Sequence, residues 1–410
     1  MGGRNGGKHK SFTCHEYADM NSRERVLAAL GHRVPDMVPI DFGGNQSSIH
    51  IRAYKQLLQY LDIRDNDIHY CDFFEQAVAP CEELLQRFDA DIRWVRPESS
   101  LVPENYVPEV EGKYQGMWDP FGVFWGNSAE KDTKDILYYD PVINPLSEMK
   151  TVQEIKAYDW PNGTDRRRLK GLREATRRLR KNTDYAIGTP PIGCIYEYTT
   201  FMFGFARALR HLQKNPELIV AAMEELEKYW TDYATAFLRE VQFGSEHYVD
   251  IVAVNGDLAQ QHGPIMNPKT IYEPLIKPIE KRFSMRLHSL ADIRVNYHSC
   301  GSIPMFIPHF SEMGYDAVNP VQVSAYDMEP CSLKKRFGRM ITFWGGLCDS
   351  QNTLPFGKPE KVGEEVQQNM ACLKPGGGYV ASVVHNITPE VPPENIVAMF
   401  DAAKLHRPYQ

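Results

Sequence analysis

The chain has 410 residues, 42% of them hydrophobic and 24% charged, with a formal net charge of −7. That balance belongs to a folded globular protein and argues against disorder; without a dominant basic stripe it also argues against a nucleic-acid partner. No run approaches the ~20 consecutive apolar residues of a membrane span, so no membrane partner is expected either. The run Arg166-Arg167-Arg168 reads as the solvated face of a helix.

In chain order, residues 1–20 are Gly- and Lys-rich, lack the apolar core of a secretory signal, and read as a disordered leader. Residues 21–410 read as a single domain. The segment 22–31, SRERVLAALG, predicts a short helix with Ser22 as its N-cap and Gly31 as its stop. Eight β-rich segments follow, at 38–44, 91–97, 185–190, 251–257, 294–301, 317–322, 341–348 and 379–386. Most are followed by helical patterns. The clearest lies over 216–241, where Leu218, Ala222, Leu226, Tyr229, Tyr233 and Phe237 recur at the three-and-four spacing of an amphipathic helix. Pro216 and Pro393 each suit a first helical turn.

Eight strands alternating with helices predict an α/β protein, a (β/α)8 TIM barrel. An open doubly wound sheet is the alternative, but no Gly-x-Gly-x-x-Gly follows an early strand. Residues 98–161 break the rhythm and read as an inserted, hairpin-like segment near the active-site face, with Tyr114, Trp118, Phe121 and Trp125 as its aromatic residues. Eight irregularly spaced cysteines suggest no disulfide framework, and a reducing, cytoplasmic location fits best. Cys71, Cys81, Cys194, Cys331 and Cys372 read as small packed residues.

In a parallel barrel the functional groups lie at the C-terminal strand ends. Those ends carry Asp41, Arg96, Thr189, Asp257, His298 with Cys300, Asn319 with Gln322, Cys348 with Asp349, and His385 with Asn386. In the segment NYHSCG, residues two apart on an extended strand share a face. His298 and Cys300 would therefore present imidazole and thiol together, a zinc-type donor pair. His385, on the same rim, would complete a three-ligand site with one open position, the arrangement of a catalytic zinc. Cys348 competes for that third place. Asp257 suits a proton acceptor or a holder of a polar substrate group, and Asp41, followed by two glycines, is a second catalytic candidate.

These residues also resemble a known family. SRERVLAALGHRVPDMVPIDFGG, GDLAQQHGPIMNPKTIYEPLIKP, YHSCGSIPMFIPHFSEMGYDAVNPVQ, FWGGLCDSQNTLPFGKPEKV and PGGGYVASVVHNITPEVPPENI are similar, in order, to the uroporphyrinogen decarboxylase superfamily, from about residue 20 to the C-terminus. The resemblance implies a (β/α)8 barrel. True decarboxylases of this superfamily carry an early R-Q-A-G-R motif that holds substrate carboxylates, whereas this chain has VPIDFGGNQSS. His385 matches a C-terminal histidine of that branch. In the corrinoid-dependent methyltransferase branch, zinc is bound by H-x-C and a later cysteine. His298 and Cys300 match the first two ligands, and His385 stands where the third would be, giving a less thiolate-rich site. The methyltransferase branch implies one zinc per chain, a corrinoid (cobalamin-type) cofactor carried by a partner protein, a small-molecule methyl donor or acceptor, and a homodimer. Its competitors are a cofactor-free decarboxylase of porphyrin biosynthesis and a barrel that binds a tetrapyrrole without catalysis.

Overall fold

The computed structural model describes residues 19–44 and 46–409. Apart from Asp19 and Met20, the leader expected over residues 1–20 lies outside the described residues.

Seven parallel strands form one curled sheet: β1 (Ile92–Trp94), β2 (Ala186–Cys194), β3 (Ile251–Asn255), β4 (Arg294–His298), β5 (Ala317–Asn319), β6 (Thr342–Trp344) and β7 (Tyr379–Val380). They lie side by side in chain order, with β1 and β7 at the two edges. The segment expected over 38–44 closes the gap. Ile40 bridges Ala381 in parallel, and Asp91 N donates to Ile40 O at 2.7 Å on the other side. This is the eighth stave of a barrel, too short in its pairing to form a regular strand. Strand β2 runs on to Cys194 through Pro190 and Pro191, with register shifts beside Pro191. Proline enters a sheet at such irregularities because it has no N–H to give the ladder.

The helix at Ser22–Leu30 forms as expected, but its N-cap is Asn21. Asn21 Oδ1 accepts from Glu24 N at 2.9 Å, and Glu24 Oε2 accepts from Asn21 N at 3.1 Å, a reciprocal capping box. The helix packs Val26, Ala29 and Leu30 against Ile92, Ala186, Ile251, Ala317 and Val380, plugging the N-terminal end of the barrel. The long helix Pro216–Glu240 and the last helix Pro393–His406 lie where the periodicity placed them.

The insertion is larger than a hairpin. Strands Glu109–Glu111, Tyr114–Trp118, Phe124–Ser128 and Asp140–Ile143 form a four-stranded antiparallel meander. A second small antiparallel sheet joins Ile49–His50, Ala77–Val78, His69–Asp72 and Val102–Pro103. The two meet at residues 72–76: Tyr139 N donates to Phe74 O at 2.8 Å, and Trp125 stacks on Phe74 at 4.2 Å. No helix of the described residues is long and apolar enough to cross a membrane.

Candidate metal centre

The C-terminal ends of β3, β4 and β5 are in register, with Asn255 opposite His298 and His298 opposite Asn319. Strand β4 ends at His298, so Cys300 lies just beyond the ladder rather than on it. The backbone bends there: Cys300 N donates to Asp257 Oδ1 at 2.7 Å, and Gly301 follows at φ +85°. A Cβ at Gly301 would stand 2.6 Å from Gln260 O, so only glycine turns the chain this closely. The bend still delivers the expected pair, with Cys300 Sγ 3.4 Å from His298 Nε2.

His385 arrives from the loop after β7. One donor atom each from His298, Cys300 and His385 lie within 4.8 Å of one another. Zinc bonds of about 2.0–2.3 Å in tetrahedral geometry separate ligand atoms by roughly 3.3–3.8 Å, so a small inward shift is enough to seat the ion. His298 is already aimed: Asn319 Oδ1 accepts from its Nδ1 at 2.6 Å, and Asn319 Nδ2 donates to Trp344 O at 3.3 Å. The Asn319 carbonyl oxygen can only accept, so the ring proton sits on Nδ1 and the Nε2 lone pair faces the cluster. Burial pushes the His298 pKa down to about 3, which keeps the ring neutral, as a ligand must be. By donor set, spacing and orientation, the residues fit zinc.

Carboxylates crowd the same mouth. Asp257 Oδ1 lies 3.8 Å from His298 Nε2, and Glu75 Oε2 lies 3.9 Å from His385 Nδ1. Asn386 Nδ2 donates to Glu75 Oε2 at 2.6 Å, and Cys194 Sγ donates to Glu197 Oε2 at 3.3 Å. Burial and mutual repulsion push Asp72 and Glu75 up to about 7 and Glu197 up to about 8. The Cys300 thiol is pushed well up by burial and by Asp257, Glu75 and Glu197. A bound cation reverses that balance, because it favours thiolate and carboxylate together.

Asp72, Glu75 and Glu197 were not among the residues expected from the sequence. Glu197 follows a strand whose end is hidden by Pro190 and Pro191. Glu75 lies between strands too short to show alternation. Of the expected residues, Asp257 reaches the cluster and Cys348 does not. The Cys348 thiol faces Glu365 and Asp349, and its pKa is pushed up by burial. Asp41 lies deeper, fully buried, accepting from Ser47 Oγ at 2.7 Å, Trp94 Nε1 at 2.8 Å and Trp344 Nε1 at 2.9 Å. It braces the barrel interior below His298, with Thr189 and Asn296 beside it in the same narrow pocket, rather than joining the donors. Gln322 supports the site from behind, its Oε1 accepting from Gly301 N at 2.7 Å.

The uroporphyrinogen decarboxylase (URO-D) family model matches residues 138–406, well over half of the chain. The chain belongs to the URO-D family. The family match spans β2 to β7 and so includes His298, Cys300 and His385. A uroporphyrinogen decarboxylase from Serratia proteamaculans (strain 568) is 33% identical over 79 residues, 18% of this chain; the match spans only 22% of that enzyme. Among solved structures, a methyltransferase from Methanosarcina mazei superposes with a TM-score of 0.62 at 14% identity, covering 94% of this chain and 99% of that one. At that identity the likeness is one of fold, and it agrees with the TIM-barrel architecture of this URO-D family member.

Proposed function

We propose that this URO-D family protein is a zinc-dependent methyltransferase that moves a methyl group between a small substrate and a corrinoid carried by a partner protein. The reading rests on one observation above all: His298, Cys300 and His385 gather three donor atoms within 4.8 Å at the barrel mouth. The lack of arginine in VPIDFGGNQSS supports it against decarboxylation of a polycarboxylated porphyrinogen.

Zinc held by these three residues would supply Lewis acidity at its open fourth position. The protein's own groups do the rest. Asn319 holds the His298 ring in the ligating tautomer, and Asp257 holds the Cys300 backbone in place. Glu75 and Glu197 are carboxyl groups at the same mouth, their pKa values pushed up by burial in the metal-free chain and drawn back down beside a bound cation, and by position they are candidates to take or return the proton of a substrate heteroatom. The aromatic insertion, through Trp125 on Phe74, steadies the loop that carries Glu75.

Metal analysis tests the proposal. The purified chain is expected to hold one zinc, and Cys300→Ala to lose it while remaining folded. A zinc-free chain that releases carbon dioxide from uroporphyrinogen would overturn the reading in favour of the decarboxylase.

A further inference from the structure

A second sulfur pair lies outside the metal centre. Cys331 and Cys372, expected to be separate packed residues, are joined as a disulfide with Cα atoms 4.6 Å apart, within the range that a disulfide spans. The bond ties the helix Pro330–Phe337 to the helix Pro359–Leu373 across 41 residues of sequence. Cys331 is exposed. It sits in the first turn of its helix, and Glu329 caps that turn by accepting from Cys331 N at 2.9 Å and Ser332 N at 2.6 Å.

The loop that leads into this helix begins under the metal centre. Gln322 Oε1 accepts from Gly301 N at 2.7 Å, and Gln322 Nε2 donates to Gln261 Oε1 at 2.8 Å. Further along, Tyr326 N donates to Gln261 O at 2.9 Å, and Asp327 pairs with Arg336 of the helix at 2.8 Å. One end of residues 320–329 therefore holds the backbone next to Cys300, and the other end is fixed beside the disulfide.

We infer that Cys331–Cys372 is a reversible redox site for small thiols, and that its state sets how firmly residues 320–329 are held. The exchange balances as follows. A small thiolate attacks Sγ of Cys331, the more exposed residue of the pair, the Cys331–Cys372 bond breaks, and Cys372 leaves as a thiolate that takes up a proton. A second small thiolate attacks the outer sulfur of the mixed disulfide and frees Cys331. The protein pair is reduced, and two small thiols become one small disulfide. Reduction frees the helix end that fixes the loop.

Equilibration of the full chain in glutathione buffers of graded ratio, followed by alkylation and peptide mass spectrometry, tests the site. Cys331 and Cys372 are expected to gain alkyl groups together in one transition. Amide exchange over residues 320–329 is expected to rise several-fold on reduction. The variant Cys331→Ser should show the fast exchange at every glutathione ratio. A pair that stays fully alkylatable in the most oxidising buffer overturns the site. So does a second zinc per chain held by the reduced pair with Glu329, which would make it a metal site instead. Exchange that is unchanged by reduction overturns the link to the loop.

Discussion

Two residues buried near the mouth show how proton positions follow from partners. His298 keeps its Nε2 lone pair for the cluster because Asn319 takes the proton on Nδ1. Replacing Asn319 with Leu leaves that proton without a partner and the ring free to turn. Metal affinity is expected to fall about 10–100-fold, read by competition with a chromophoric chelator; unchanged affinity would remove Asn319 from this role. The second residue is Glu280, which is 2% exposed. The Tyr297 hydroxyl lies 3.0 Å from Gly256 O and 3.1 Å from Glu280 Oε1. A neutral Glu280 would bring a second proton to this pair of contacts, so that the phenol need not share its own between two oxygens. Burial accordingly pushes its pKa from 4.5 up to about 8. Between those values the folded chain keeps a proton that the unfolded chain has lost, so this group's effect on stability worsens as pH rises from 4.5 towards 8. Glu280→Gln is expected to flatten that part of the profile of melting temperature against pH. A profile identical to that of the parent protein would show that Glu280 is ionised.

At the scale of elements, the plug helix Ser22–Leu30 depends on one carboxylate. Asp91 accepts from Ser22 Oγ at 2.7 Å, Arg25 Nη1 at 2.6 Å, Arg407 Nη2 at 2.7 Å and Ile40 N at 2.9 Å. It therefore ties the plug, the last helix and the closing stave to the foot of β1. Asp91→Ala leaves two buried guanidinium groups short of a partner. The expected cost is about 3–5 kcal/mol, measured by urea unfolding; a loss under 1 kcal/mol would mean that the neighbouring Asp36 takes over. The strands were legible in the sequence because each buried β-rich run ends in polar residues that a barrel mouth needs. The elements that escaped were those whose pattern is broken or too short. Pro190 and Pro191 conceal the second half of β2, and with it Glu197. The two-residue strand Ala77–Val78 has no period to detect, so Glu75 went unseen. The N-cap of the first helix lies one residue before the expected Ser22, because Asn21 and Ser22 are both good caps and only Glu24 decides between them.

At the scale of the whole molecule, eight staves and a long insertion were readable from alternation and its interruption. The insertion's true extent was not, since its pairings join residues across the mouth rather than neighbours in sequence. The disulfide was equally hidden, because 41 residues separate its cysteines and no spacing rule marks the pair. The three donors of the candidate site also come from distant places: His298 from the end of β4 and Cys300 from the bend just after it, His385 from beyond β7. The barrel closes through contacts such as Asn386 Oδ1 accepting from Ser48 N, across 338 residues. On the ribosome, where the chain emerges from its N-terminus, the plug helix and the first staves are made long before His385 exists. The three-donor cluster therefore cannot assemble on a nascent chain until the residues through His385 have been made and have left the ribosome.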